Sequence, residues 1–336
     1  MSSDNQSTPL EIPLEVTFKC NYTCKHCFNK NTPQDSRELV TVCFIRIINK
    51  IADANVEAIR FTGGEPLLRN DIFTLIEHAK SKGLYTIMNT NGLLVNERIA
   101  ERLKGIVDDV LIPINSLGNA EEQEFSGESN SFTRKLESIK LLKNVGIERV
   151  RSCTIISEKN VDKLGEIIKL VESLKLDHWG VLRPVPTKEN SFISNILVEK
   201  TVDQLIKFKG NYKFINAIPF CSYDPEKVER VAIGSKFDDC SLRITVAPDG
   251  KVKPNYYMDE NLGDITKQEL NECWNNEFAR KLRNFELVNE VCKNCKYLRK
   301  CGGGLRFAAN LINGSYSSLD PLAMPEKFKE KLFTSL

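Results

Sequence analysis

Short apolar runs alternate with longer amphipathic runs along the first half of the chain. The strand-like runs are Glu11–Phe18, Ala58–Phe61, Tyr85–Asn89, Asp109–Ile114, Val150–Ile156 and His178–Leu182. Between them, apolar residues at helical spacing predict helices over Ser36–Asp53, Ile72–Ser81, Asn96–Leu103, Phe132–Asn144 and Val161–Leu174. Strands that alternate with helices form parallel sheets with crossover connections, so the pattern predicts an α/β fold. An open doubly wound sheet fits this periodicity about as well as a (β/α)6 barrel.

The pattern changes after Arg183, where two prolines and a polar stretch predict a connector. Further on, Ile244–Ala247 and Lys251–Tyr256 flank a Pro-Asp-Gly turn and predict a β-hairpin, and Gln268–Asn284 predicts a helix. The resulting division is a tail (1–10), an α/β core (11–184), a connector (185–239) and a smaller C-terminal domain (240–336).

Composition places the chain among ordinary globular proteins. Hydrophobic residues make up 41% and charged residues 27% of its 336 positions, and the formal net charge is +2. This balance predicts neither a nucleic-acid nor a membrane partner. Met1–Pro9 is polar, and the most apolar run, Leu39–Ile48, is interrupted by Arg46 and too short to span a bilayer. We therefore expect a cytoplasmic protein.

The 11 cysteines are clustered, which favours metal ligands in a reducing compartment over a disulfide scaffold. Cys20, Cys24 and Cys27 fall within eight residues, directly after the first predicted strand. Thiolates are the usual ligands of a 4Fe–4S cluster, and three of them leave one iron open for chemistry. Structural zinc is the alternative, but it needs four ligands, and the next closely spaced pair is far away, at Cys292 and Cys295.

This cysteine spacing resembles the signature of the radical S-adenosylmethionine (radical SAM) superfamily, and the run Gly63-Gly64-Glu65-Pro66 after the second strand matches that family's GGEP motif. The resemblance favours a partial (β/α)6 barrel with its site at the carboxyl ends of the strands. It implies a SAM-binding 4Fe–4S cluster whose open iron chelates the methionine part of SAM, and the release of a 5′-deoxyadenosyl radical.

The resemblance also implies cofactor-binding residues. Gly63, Gly64, Glu65 and Pro66 would hold the amine of SAM, and His26 would pack against its adenine. Weaker candidates are Asn91, Ser116, Arg151 and Asn160. For several of these, a turn or a helix cap is an equally good interpretation.

Cys292, Cys295 and Cys301, followed by three glycines, resemble the SPASM or "twitch" extensions that hold auxiliary 4Fe–4S clusters. The chain departs from the full pattern, with Asn255, Leu305 and Ala323 at positions where cysteines are expected. One auxiliary 4Fe–4S cluster remains possible, with Cys240 as the first choice and Cys221 as the second choice for its fourth ligand. A zinc knuckle is the alternative.

Three function classes follow. The first is a radical SAM oxidoreductase or isomerase that dehydrogenates or epimerises a small molecule, such as a sugar, an aminoglycoside or an amino-acid derivative. Cys153, or an unligated Cys221, would then be a hydrogen-atom donor, and the electron donor would be a flavodoxin or ferredoxin. The second is a maturase of a ribosomally made peptide, against which the ten residues before the first strand count. The third, a non-catalytic iron–sulfur or zinc protein, leaves the Gly-Gly-Glu-Pro loop without a purpose.

Overall fold

The computed structural model describes residues 7–27, 29, 37–187, 193–208 and 210–333. Much of the predicted tail, the first residue of the helix predicted from Ser36 and part of the predicted connector lie outside these ranges.

Within the described ranges, the strands form one ten-stranded sheet. Its strands are β1 (Glu11–Thr17), β2 (Ala58–Gly63), β3 (Tyr85–Asn89), β4 (Asp109–Leu111), β5 (Arg149–Ile155), β6 (His178–Leu182), β7 (Lys213–Phe214), β8 (Thr245–Val246), β9 (Lys251–Lys253) and β10 (Gly263–Asp264). Their spatial order is β10-β9-β8-β1-β2-β3-β4-β5-β6-β7.

Strands β1 to β7 are parallel neighbours in chain order. A doubly wound sheet reverses its strand order at a switch point, whereas this order runs on without reversal. The sheet is therefore of the barrel type, which confirms the α/β prediction and decides between its two forms. β7 was not predicted and lies in the stretch that the sequence marks as a connector.

The helices are α1 (Thr41–Asp53), α2 (Ile72–Ser81), α3 (Glu97–Leu103), α4 (Asn119–Ser126), α5 (Ser131–Val145), α6 (Leu164–Ser173), α7 (Asn195–Lys207), α8 (Pro225–Val231), α9 (Leu270–Trp274), α10 (Glu277–Arg283), α11 (Glu290–Lys293), α12 (Leu298–Cys301), α13 (Arg306–Asn313) and α14 (Lys329–Leu332). Among the described residues, none of these helices is long and apolar enough to cross a membrane.

Several elements are shorter than predicted; the first helix, for example, begins at Thr41 and not at Ser36. Two of the differences have clear local reasons. β4 ends at Leu111 instead of Ile114, because Pro113 has no N–H for the ladder, although Ile112 N and Ile114 N still donate to strand β5. The prediction of a single helix over Gln268–Asn284 is wrong. It is split into α9 and α10, because the Asn276 side chain accepts from Phe278 N and starts a new helix.

The two faces of the barrel strands differ in polarity. Ile12, Leu14 and Val16 alternate along β1 and pack in one buried cluster with apolar residues of α1. The opposite face of β1 carries polar residues, and Glu11 pairs there with Arg60 of β2 at 2.8 Å. The apolar layer thus lies between sheet and helices, and the inner face of the sheet is polar.

The predicted hairpin is present with shorter strands. β8 and β9 are antiparallel, and the turn between them needs Gly250, whose φ is +90°. β8 also pairs in parallel with β1, so the hairpin extends the barrel sheet on the side of the first strand.

Candidate metal centres

Cys20, Cys24 and Cys27 lie on the loop that follows β1, and the glycine pair of the next loop holds this segment in place. Gly64 N donates to Thr17 O, and Glu65 N donates to Lys19 O, each at 2.8 Å. A Cβ on Gly64 would lie 2.0 Å from Lys19 O, and Gly63 has φ +123°. The two glycines therefore allow the close backbone contact that fixes the position of Lys19, the residue before Cys20.

The three thiols are half-buried and unbonded to one another, and all 11 cysteines are free. Burial raises the pKa of Cys20, Cys24 and Cys27, and that of Cys24 reaches about 12. Such thiols ionise when iron supplies the compensating charge. Three thiols on one loop fit a 4Fe–4S cluster with an open iron, as the sequence predicts.

Glu65 is almost fully buried at the carboxyl end of β2. Its Oε1 accepts from Leu67 N at 3.1 Å and Thr90 Oγ1 at 2.9 Å, and its Oε2 accepts from Asn91 N at 2.8 Å. A carboxylate offers about four acceptor positions, so one is left for a further N–H donor such as an amine. Burial raises the pKa of this carboxyl to about 7.

Asn91 connects the β3 loop to the cysteine loop. Its Nδ2 donates to Asn21 Oδ1 at 2.7 Å and lies 4.0 Å from Cys20 Sγ. Glu65 and Asn91 are thus joined to the first cysteine by a continuous set of contacts, and three of the sequence-predicted site residues are brought together here.

Two charged residues that the sequence analysis missed lie beside this site. Glu122 of α4 and Lys135 of α5 form an ion pair whose side chains are at most 2% exposed. Glu122 Oε2 accepts from Ser116 Oγ at 2.7 Å, and the Lys135 ammonium lies 5.9 Å from the centre of the Tyr22 ring. No sequence signal marks this pair, because its members come from two helices and face inward.

A polar cavity opens at the ends of β4 and β5. It is lined by Asn115, Ser116, Glu121, Glu124, Phe125, Lys159 and Asn160. The His26 ring is tilted against Phe125 with 6.2 Å between ring centres. Burial, with Lys135 nearby, lowers the pKa of His26 to about 4, so the imidazole is neutral at pH 7 and suited to packing against a planar base.

Asn160 joins the ends of two strands. Its Nδ2 donates to Asn115 O and to Ile155 O, and its Oδ1 accepts from Ser157 N. The Asn160 amide thus connects the two strand ends at the rim of the polar cavity.

Arg151 is not at that rim. It lies in the first half of β5 and donates from Nε to Asp109 Oδ1 at 2.6 Å, so it is not grouped with the other candidate cofactor-binding residues at the carboxyl ends of the strands. Cys153 follows on the same strand face and is buried, which raises the pKa of its thiol to about 12. It therefore stays protonated at neutral pH.

The C-terminal cysteines surround a second cavity. Cys292, Cys295 and Cys301 line it, and so does Cys221, from a turn that precedes α8. Among the described residues, no three His, Cys, Asp or Glu side chains converge on one point as ligands of a single metal ion would. The four thiols around the cavity match the number of thiolates that bind a 4Fe–4S cluster.

Cys240 does not line this cavity. It is fully buried with Ile244 and Trp274 in the hydrophobic cluster that also contains the apolar residues of β1. Its thiol lies 3.7 Å from Pro254 O. Cys240 was the first choice for the fourth auxiliary ligand, and its position does not support that choice. The hairpin β8–β9, which follows Cys240 and pairs with β1, places this residue in the core beside β1.

The comparisons with known proteins agree with this geometry. A model of the radical SAM superfamily matches residues 14–171, and a model of the SPASM iron–sulfur cluster-binding domain matches residues 240–296. The "AdoMet-dependent heme synthase" of Nitratidesulfovibrio vulgaris is 25% identical, over 95% of this chain and 93% of the relative. The protein of the same name from Oleidesulfovibrio alaskensis is 24% identical, over 93% and 86%.

Solved structures share the fold. Streptococcus suis SuiB bound to S-adenosylmethionine has a TM-score of 0.75 at 18% identity, over 95% of this chain and 78% of SuiB. The protein anSMEcpe with bound AdoMet has a TM-score of 0.72 at 18% identity, over 93% of both chains. With the cysteine loop, the Gly-Gly-Glu-Pro loop and the second thiol group in place, this chain belongs to the radical SAM superfamily and carries a C-terminal SPASM domain.

Proposed function

We propose that this radical SAM enzyme oxidises a small molecule, beginning with abstraction of a hydrogen atom. The observation that carries the proposal is the presence of two separate groups of cysteines, one on the loop after β1 and one around the C-terminal cavity. When bound, the first cluster and SAM supply a 5′-deoxyadenosyl radical, and an auxiliary cluster supplies an acceptor for the electron left on the substrate.

The residues of this chain then have distinct tasks. Cys20, Cys24 and Cys27 would bind the SAM cluster, and the free acceptor position on Glu65 would bind the amine of SAM. His26 with Phe125 would hold the adenine at the polar cavity, whose rim Asn160 and Ser116 shape. Glu65, Ser116 and Asn160 are buried, which would limit the access of water to a reactive intermediate.

The substrate class is argued from the relatives. The two proteins that match nearly the whole chain are named for heme synthesis, a small-molecule task. A tetrapyrrole is therefore the first substrate to test, beside the sugars, aminoglycosides and amino-acid derivatives that the sequence suggested. A crystal structure of SuiB bound to a precursor peptide is also among the similar structures. For this reason, peptide maturation is the second candidate function.

Epimerisation would need a hydrogen-atom donor. Cys221 lies among the auxiliary thiols, which leaves Cys153 as the candidate. An oxidation needs no hydrogen-atom donor, and for that reason we favour oxidation over epimerisation. A flavodoxin or ferredoxin would supply the electrons in a reducing cytoplasm.

The test uses deuterium. Anaerobically reconstituted protein is incubated with SAM, dithionite and either the small-molecule or the peptide fraction of cells grown in heavy water. We expect deuterium in 5′-deoxyadenosine with the small-molecule fraction and a product two hydrogens lighter than its substrate.

A Cys24→Ala/Cys27→Ala variant is the control and should release no 5′-deoxyadenosine. Deuterium transfer from the peptide fraction alone would replace the proposal with peptide maturation. A product isomeric with its substrate would replace oxidation with epimerisation.

A further inference from the structure

The second cavity gathers four thiols from distant parts of the chain. Resting on the proposed function, we propose that Cys221 is the fourth ligand of the auxiliary 4Fe–4S cluster, together with Cys292, Cys295 and Cys301. Cys221 lies outside residues 240–296, which the SPASM model matches, and it takes over from the C-terminal cysteine that is replaced by Ala323.

Backbone contacts fix Cys221 beside the other thiols. It lies in a short 3-10 turn, Phe220–Ser222, and Phe220 N donates to Cys301 Sγ at 3.4 Å. This N–H is also placed to stabilise a ligating thiolate, as hydrogen bonds to cluster sulfurs do.

The position of the missing cysteine adjoins Cys221. Ala323 lines the same cavity, and the following residue, Met324, donates its N–H to Cys221 O at 3.2 Å. The Asn195 side chain holds the two segments together, because its Nδ2 donates to Ser222 O and to Leu322 O, each at 2.8 Å. A ligand on either segment would thus reach the same wall of the cavity.

The rest of the cavity suits a cluster better than a polar ligand. Apart from the four thiols, its lining consists of apolar side chains, prolines and one glycine, Gly303. The guanidinium of Arg306 packs against Gly303 and donates to its carbonyl oxygen. A buried cation next to the cavity favours an anionic thiolate-bound cluster.

The alternative ligand, Cys240, is held elsewhere. The position expected to supply a second cysteine beside it is Asn255, whose side chain donates to Asp238 O and accepts from Tyr257 N and Met258 N. These bonds engage the Asn255 amide with nearby backbone groups, and an amide is not a usual ligand of an iron–sulfur cluster.

The test counts iron and sulfide in a Cys24→Ala/Cys27→Ala background, which removes the SAM cluster. The background protein should hold about four irons per chain. Adding Cys221→Ala should lower this to three or fewer, with an electron paramagnetic resonance signal of a three-iron cluster or none. Adding Cys240→Ala is the matched control and should leave about four.

A rescue variant separates ligand loss from misfolding. Cys221→Ala/Ala323→Cys should restore about four irons, because the new thiol enters the same cavity from the adjoining segment. Full iron in the Cys221→Ala variant, or loss in Cys240→Ala alone, would overturn the assignment. Failure of the proposed function would show separately, as absent SAM cleavage by the protein with its native cysteines.

Discussion

At the scale of single residues, the proposed contact between Glu65 and SAM can be tested most directly. It is buried at the end of β2, already accepts three hydrogen bonds and has one acceptor position left. Because burial raises its pKa to about 7, the carboxyl is protonated over much of the acidic range in the protein without SAM.

We expect SAM affinity to fall by up to about tenfold per pH unit below pH 7, since the amine of SAM donates to the ionised carboxyl and the carboxyl proton must leave first. Glu65→Gln should bind SAM at least about tenfold more weakly at pH 8 and should lose this pH dependence. Equilibrium dialysis of the reconstituted protein at pH 6 and pH 8 measures both effects. Equal affinity of the native protein at the two values would contradict the role given to Glu65.

Local elements carry the geometry of the site. The loop after β1 and the loop after β2 touch through backbone atoms, and this contact leaves no room for a side chain at Gly64. The helices α4 and α5 supply the buried ion pair beneath the rim of the polar cavity.

Gly64→Ala should displace the cysteine loop, because its Cβ would lie 2.0 Å from Lys19 O. We expect the iron content to fall from about eight to about four per chain, with the auxiliary cluster retained. Gly118→Ala is the matched control, because a Cβ there meets no atom within 4 Å and its φ is −167°. Full iron in Gly64→Ala would show that the loop tolerates the shift.

Lys135→Met should destabilise the fold by about 3–5 kcal/mol, because it leaves the Glu122 carboxylate buried without its cation. The double variant Lys135→Met/Glu122→Gln should recover much of this loss, since the charge is removed from both sides. Anaerobic urea unfolding followed by circular dichroism compares the three proteins. A double variant no more stable than the single one would argue against a charge effect.

Across the whole molecule, the barrel and the C-terminal part are joined by buried charges as well as by the shared sheet. Arg183, just after β6, donates to Asp320 at 2.7 Å and 3.3 Å, and both side chains are at most 1% exposed. Asp320 also accepts from Leu305 N and Leu322 N, so it ties the glycine run to the segment that carries Ala323.

Asp320→Asn should lower stability by about 3–5 kcal/mol, because the Arg183 guanidinium stays buried while its counter-charge is lost. The auxiliary cluster should also be bound less tightly, and the amount of sulfide released on dilution would measure this effect. Asp162→Asn, in the exposed pair with Lys200, is the control and should change stability by less than about 1 kcal/mol. If both variants unfold at the same temperature, the buried pair does not hold the two parts together.

The sequence by itself determined the features whose residues are neighbours along the chain. The alternation of strands and helices, the Cys20–Cys27 loop and the glycine pair before Glu65 are local patterns, because each depends on backbone periodicity or on residues of one short loop. Even the error at β4 has a local cause, in the missing N–H of Pro113.

Tertiary structure alone decided which distant residues meet. Glu122 and Lys135 pair across two helices, Cys221 joins thiols more than 70 positions away, and Cys240 is drawn into the core beside the hairpin. Arg151 turned inward to Asp109 for the same reason. Residue type and spacing do not encode these contacts, because they depend on how whole elements pack and on which buried charges must find a partner.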